Sequence, residues 1–339
     1  MENRSGEPIA EVWLGAHPKA PSRLVLPAGE VPLNRLVEDN AAEWLGPALT
    51  ERFEGEFPFL FKLLSAEKGL SIQAHPRKRQ AEEGFDREEQ AGIPRDAGHR
   101  NYRDRNHKPE MVVALTEFYG LCGFRQPREI EANLAPLIHE VGGPAAELPL
   151  PGSAGLQAWF RGWVELPEPT KADLLEAALR SAAASTKGSP RWWVEELNRQ
   201  FPGDFGALSP LFLELFRAEP GEAMFLGPGE LHAYLRGSAV EIMASSDNVL
   251  RSGCTNKHVD PQELLRVLNF EAGGPVPVEP LLQAPGVERF SPPVDEFELF
   301  RIAADRTPRQ LRRNGTVAPP LIVLAISGTI AVEAEELEP

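Results

Sequence analysis

Cysteine is scarce: Cys122 and Cys254 are the only two in 339 residues. That is too few for a disulfide framework, and a reducing cytoplasm is the expected setting. No run of about 18 apolar residues occurs, so no membrane span is expected. The opening "MENRSGEPIAEVW" has neither a basic head nor a hydrophobic segment, which argues against a secretory signal. Positive charge is also short. Lys and Arg total 35 against 50 Asp and Glu, a formal net charge of -15. Nucleic acid is disfavoured as a partner, because binding it needs clustered cations to neutralise phosphates. A small anionic substrate is not excluded, since it needs only a local cluster of cations inside a cleft. There is no internal repeat of fixed period and no long low-complexity tract.

Proline (33) and glycine (29) are plentiful. They punctuate a fold with many turns, and a β-rich architecture is one way to need them. With 42% hydrophobic and 25% charged residues, the composition is that of a soluble globular protein. The length suggests two or three domains.

Short strands are expected in "AEVWLGAH", "SRLVL", "FLFKLLS", "LSIQAH", "EMVVAL" and "EFYGLCGF". From Gln126 the spacing turns helical, in "PREIEANLAPLIHEV", "SAGLQAWFRGWVEL", "TKADLLEAALRSAAAS" and "SPRWWVEELNRQF". Thr170 with Asp173 reads as a capping box. Ser189 with Pro190 reads as an N-cap and first-turn pair. Strand signals resume in "EAMFLGPGELHAYLRGSAVEIMA". A helix "DPQELLRVLNF" follows, capped by Asp260. From Ala272 the chain is again β-like, with "SGT" near the end joining two strands. The chain opens within strand-like sequence and stops one strand after a hairpin. Open sheet edges are liabilities, so segments are expected to be missing at both ends.

"LSIQAHP" places Gln73 and His75 two apart, where strand side chains share a face. "NHKPEM" places Glu110 at the start of a strand, and "PGELHAYL" places His232 after a Pro-Gly turn. Three neutral donors and one carboxylate suit a borderline divalent metal with an open position. On residue chemistry alone the alternatives stay open. Gln73 could be satisfied by strand neighbours, His75 could end a loop, Glu110 could pair with Lys108 at the surface, and His232 could cap its turn.

"LSIQAHP", "NHKPEM", "PGELHAYL" and "EIMASSDNVLRSGCTNKHVD" together resemble the signatures of the type I mannose-6-phosphate isomerases, of the cupin superfamily. "VWLGAHPKAPS" and "FPFLFKLLSA" resemble that family's early segments. The likeness runs from about Glu11 to about Phe270. It implies a mainly β fold: a cupin jelly-roll catalytic domain over 1–125 and 206–265, a helical insert over 126–205, and a shortened C-terminal jelly-roll-like β domain over 266–339. It implies one Zn2+ held by Gln73, His75, Glu110 and His232, and a catalytic arginine at Arg251. Further active-site positions map onto Lys62, Ser71, His107, Lys108, Glu241, Asp247 and Lys257. Asp247 with Asn248 could equally form an Asx turn, and Glu241 in "VEIM" could point inward or outward.

The reaction implied is interconversion of mannose 6-phosphate and fructose 6-phosphate through a cis-enediol. The base would come from His107, Lys108, Glu241 and Asp247. Arg251, Lys257 and Ser71 would hold the phosphate. A monomer is expected. The family's early aromatic-Trp-Gly-Ser motif is not found. The alternatives are an isomerase of another aldose and a silent cupin that binds metal or sugar phosphate without turnover.

Overall fold

A computed structural model describes residues 6, 9–27, 29–183, 185–303 and 320–328. The chain divides into two compact units, Met1–Val12 with Lys62–Glu279 and Trp13–Phe61 with Pro280–Pro339.

The larger unit is organised by one long strand, His232–Ala244. Its first half pairs antiparallel with Ile72–Ala74 on one side and Phe118–Phe124 on the other. Leu250–Gly253 and Leu213–Ala218 extend that sheet outward. The second half of the long strand pairs with Glu110–Ala114, which continues to Ala223–Leu226 and Val276–Pro277. Phe59–Ala66 lies on the other side of the long strand.

The strand changes sheets at an irregularity between Tyr234 and Arg236. Gly237 follows with φ of +114°, where a Cβ would sit 2.5 Å from the Glu117 carbonyl oxygen. Only glycine passes there without displacing backbone. The extra residue also reverses the inside–outside alternation. Odd-numbered Glu241 thereby comes to the interior face that even-numbered His232 and Tyr234 occupy. Leu64, Val112, Ala114, Phe118, Cys122, Leu226 and Tyr234 fill the space between the sheets.

The helices Pro127–Val141, Leu156–Val164, Glu168–Ala182 and Pro190–Gln200 bury one apolar stripe each. Trp159, Phe160, Trp163, Leu174, Trp193 and Leu197 form one core with Phe124 and Phe212. Ser189 caps its helix as expected, its hydroxyl accepting the Trp192 N–H at 3.3 Å. The Thr170–Asp173 capping box does not form. That helix starts earlier, at Glu168, and Thr170 is buried inside it. Pro169 in the first turn fixes φ for a helix, so the chain turns helical before Thr170.

Lys78–Gln90 is a helix that the spacing did not announce. Its surface is so polar that the buried stripe of Ala81, Gly84, Phe85 and Glu88 is hard to see in sequence. Gly84 is obligatory, because a Cβ would lie 2.4 Å from the Tyr102 ring.

The smaller unit holds short helices at Leu33–Asp39, Ala41–Leu45 and Pro47–Arg52, between the strand segments expected at "SRLVL" and "FLFKLLS". It also holds the hairpin Arg23–Leu26 with Gly29–Pro32. A three-stranded sheet is made by Leu281–Ala284, Val287–Phe290 and Leu299–Ile302. Val37, Leu45 and Phe57 form a buried cluster with the short helices. Leu321–Ala325 forms no strand among the described residues. The strand expected after "SGT" lies outside them. Among the described residues no helix is long and apolar enough to cross a membrane.

Candidate active site

Two histidines and a glutamate converge between the sheets of the larger unit. His75 follows Ile72–Ala74, Glu110 opens its strand and His232 opens the long strand. All three are buried, each about 1% exposed. His75 Nδ1 lies 2.7 Å from the Asn248 carbonyl oxygen, and His232 Nδ1 lies 2.8 Å from that of Glu230. A carbonyl can only accept, so each Nδ1 carries the proton and each Nε2 presents a lone pair. Both Nε2 atoms are buried without a hydrogen-bond partner. His75 Nε2 is 3.2 Å from Glu110 Oε1, and His232 Nε2 is 3.4 Å from Glu110 Oε2. One ligand atom from each lies within 4.8 Å of the others. Two aimed imidazole lone pairs against a carboxylate fit a borderline divalent cation, zinc above all.

The backbone explains the convergence. The Gly229 N–H donates to the His75 carbonyl at 2.8 Å, tying the turn before His232 to the other imidazole. Gly229 adopts φ of +88°, which favours glycine. Gln73 stands directly opposite His232 on one side and Arg251 on the other. Directly opposed residues in antiparallel strands project to the same face, so amide, imidazole and guanidinium form one row. Ser71 Oγ donates to Gln73 Oε1 at 3.4 Å.

Charge surrounds the cluster in pairs. Lys108 Nζ is 2.9 Å from Glu110 Oε1. Burial pushes the Glu110 carboxyl up, but Lys108 and His75 outweigh it and hold it well below the usual carboxylate range. Burial, with Lys108 nearby, lowers His75 to about 4. Lys62 Nζ is 2.9 Å from Glu241 Oε2, both buried. Burial works against the Lys62 charge, yet Glu241, Glu11 and Glu110 raise its pKa overall. Glu241 points inward. Tyr234 donates its hydroxyl to Glu110 Oε2 at 3.1 Å, and burial beside Glu110 keeps the phenol protonated.

Arg251 is half-buried, and its Nε has no hydrogen-bond partner. Burial and the neighbouring Arg103 charge lower its pKa. Asp247 is half-buried, and its backbone N–H donates to Asp104 Oδ2 at 2.7 Å. His107 is half-buried ahead of Lys108, whereas Lys257 is exposed. The structure thus gathers His75, Glu110, His232, Lys108, Lys62 and Glu241 through side-chain contacts. Register brings Gln73 and Arg251 beside them. Nothing among the described contacts ties the Lys257 side chain to the cluster. Tyr234, Arg103 and Asp104 escaped the sequence reading, and Asn248 entered it only as half of an Asx turn with Asp247. Only Tyr234 carried a signal, standing two residues after His232 on one strand.

Residues 2–127 match the family model of the phosphomannose isomerase type I catalytic domain. A mannose-6-phosphate isomerase of Salmonella typhimurium is 44% identical over 302 residues, covering 88% of this chain and 76% of that protein. One from Emericella nidulans is 34% identical, covering 94% of this chain and 77% of that protein. A zinc-bound mannose 6-phosphate isomerase structure superposes with a TM-score of 0.80 at 40% identity, covering 88% of this chain and 76% of that one. The metal-fitting cluster, the fold and these similarities agree: the chain belongs to the type I mannose-6-phosphate isomerase family.

Proposed function

We propose that this chain is a zinc-dependent aldose–ketose isomerase that interconverts mannose 6-phosphate and fructose 6-phosphate. The observation that carries the reading is the pair of buried Nε2 lone pairs aimed at the Glu110 carboxylate. His75, Glu110, His232 and Gln73 would hold the ion. Zinc when bound supplies Lewis-acid stabilisation of negative charge developing on sugar oxygens.

The remaining work falls to side chains. A proton leaves C2 and returns at C1 through a cis-enediol, while the O1 and O2 protons are redistributed. Lys108, fixed by Glu110 in a water-poor interior, adds positive potential where that charge develops. The proton carrier is drawn from His107, Lys108, Glu241 and Asp247. Of these, Lys108 and Glu241 are held in place by buried ion pairs. Arg251 and Ser71 offer donors to the phosphate, with Lys257 on the same loop, and Arg103 is a fourth candidate. Arg251 and Arg103 have no carboxylate partner among the described contacts, so a dianion would relieve their mutual repulsion.

The functional division we infer is a metal-binding part over 1–125 and 206–265, a helical insert over 126–205 and a C-terminal β part over 266–339. What supports it is that every proposed ligand falls within the first part and that helices fill most of 127–200. A monomer in a reducing cytoplasm goes with this reading, the latter supported by the two buried, unpaired cysteines. The test is a coupled assay from fructose 6-phosphate. Activity is expected, lost to a chelator and restored by zinc. A zinc-loaded protein without turnover would overturn the proposal.

A further inference from the structure

Asn248 is fully buried, at 0% exposure, and its amide is saturated. Its Oδ1 accepts the backbone N–H of Arg103 at 2.7 Å and of Asp104 at 3.2 Å. Its Nδ2 donates to the Asp104 carbonyl at 2.9 Å, to Asp104 Oδ1 at 3.1 Å and to the Asn106 carbonyl at 2.9 Å. Its own N–H donates to Ser246 Oγ at 3.2 Å. Its own carbonyl is the acceptor for His75 Nδ1–H, at 2.7 Å.

Three parts of the site meet at this residue. The side chain clamps the segment 103–106, which runs directly into His107, Lys108 and Glu110. The carbonyl orients His75. Three residues later the same chain reaches Arg251. No other side chain of similar size does the same. Aspartate has no N–H to donate, and leucine would leave buried amides and carbonyls unpaired.

We propose that Asn248 is a positioning residue for the metal centre. Its side chain fixes the backbone carbonyl that sets the tautomer and orientation of His75, and in the same step locks the segment that presents Lys108 and Glu110. Partners behind metal ligands typically change metal affinity about 10–100-fold. The proposal rests on His75 and Glu110 being ligands, but not on which sugar is isomerised.

The test is zinc affinity by competition with a chromophoric chelator, together with the visible spectrum of the cobalt(II)-substituted protein. Asn248→Ala is expected to bind zinc about 10–100-fold more weakly and to change the cobalt bands. A core variant remote from the site, Leu174→Ala, should lower thermal stability while leaving affinity and spectrum unchanged. If Asn248→Ala does not fold, Ser246→Ala decides. It removes only the hydroxyl that accepts the Asn248 N–H and donates to Asp104 Oδ1 and the Asn106 carbonyl, and a several-fold weaker affinity is expected. Unaltered affinity and spectrum in Asn248→Ala, or unaltered affinity in Ser246→Ala where only that variant folds, overturns the proposal alone. An unsubstituted protein that binds no zinc overturns the ligand reading and this proposal together.

Discussion

Gln73 and Arg251 stand directly opposite one another on adjacent antiparallel strands, Ile72–Ala74 and Leu250–Gly253. Their side chains therefore leave the sheet on the same face. One belongs to the proposed metal set, the other to the proposed substrate set, and a single ladder position fixes both.

That adjacency separates two variants. Gln73→Ala should weaken zinc binding by about tenfold or more, read by metal analysis after dialysis against a weak chelator. Arg251→Ala should keep its zinc and lose roughly two to three orders of magnitude in turnover. Full zinc occupancy in the first, or unchanged turnover in the second, removes that residue from its role.

The Lys62–Glu241 pair offers a stability test. Both side chains are buried and 2.9 Å apart. Lys62→Met leaves a buried carboxylate without its cation, and should destabilise the fold by about 3–5 kcal/mol in chemical denaturation. Adding Glu241→Leu should recover most of that loss, because the uncompensated charge is gone. A double variant as unstable as the single one would show that the pair is not coupled.

Acid should unfold the metal-free protein in a defined window. Burial and Lys108 lower His75 to about 4 in the fold, against about 6.5 in the unfolded chain. Between those values the unfolded chain binds the proton and the native one does not. Stability is therefore fully present above about 6.5 and declines as pH falls toward 4. Glu110, held below its usual range despite burial, adds a loss in the same direction at lower pH. Denaturant midpoints from pH 7 to 4 on chelated protein should show this decline, and His75→Gln should flatten its upper part. A midpoint that rises on acidification would contradict the assignment.

Gly237 should be nearly intolerant of substitution. Its φ is +114° and an added Cβ would collide with the Glu117 carbonyl. Gly237→Ala should lower the melting temperature clearly, by an amount equivalent to about 1–3 kcal/mol. It should also reduce zinc affinity, because the bend brings Glu241 to the interior face that His232 and Tyr234 already occupy. An unchanged melting temperature would mean that the backbone adapts.

What was legible in the sequence follows from chemistry that local spacing can carry. Gln73, His75, Glu110 and His232 were visible because polar donors interrupt strand-like sequence. Ser189 and Asp260 were visible because caps are local. The direction of Glu241 was not, because one extra residue between Tyr234 and Arg236 reverses the alternation. The helix Lys78–Gln90 was hidden by its polar surface, and the start at Glu168 by the stronger pull of Pro169. Asn248 looked like an ordinary turn residue. Its partners at 103–106 lie about 140 residues away, and only the folded chain brings them together.

The most direct measurement is an anomalous difference map at the zinc edge from crystals of the zinc-loaded protein. The account predicts one strong peak about 2.0–2.2 Å from His75 Nε2, His232 Nε2 and a Glu110 oxygen, with Gln73 beside it. A peak elsewhere in the chain, with those three side chains keeping their present contacts to one another, would contradict it.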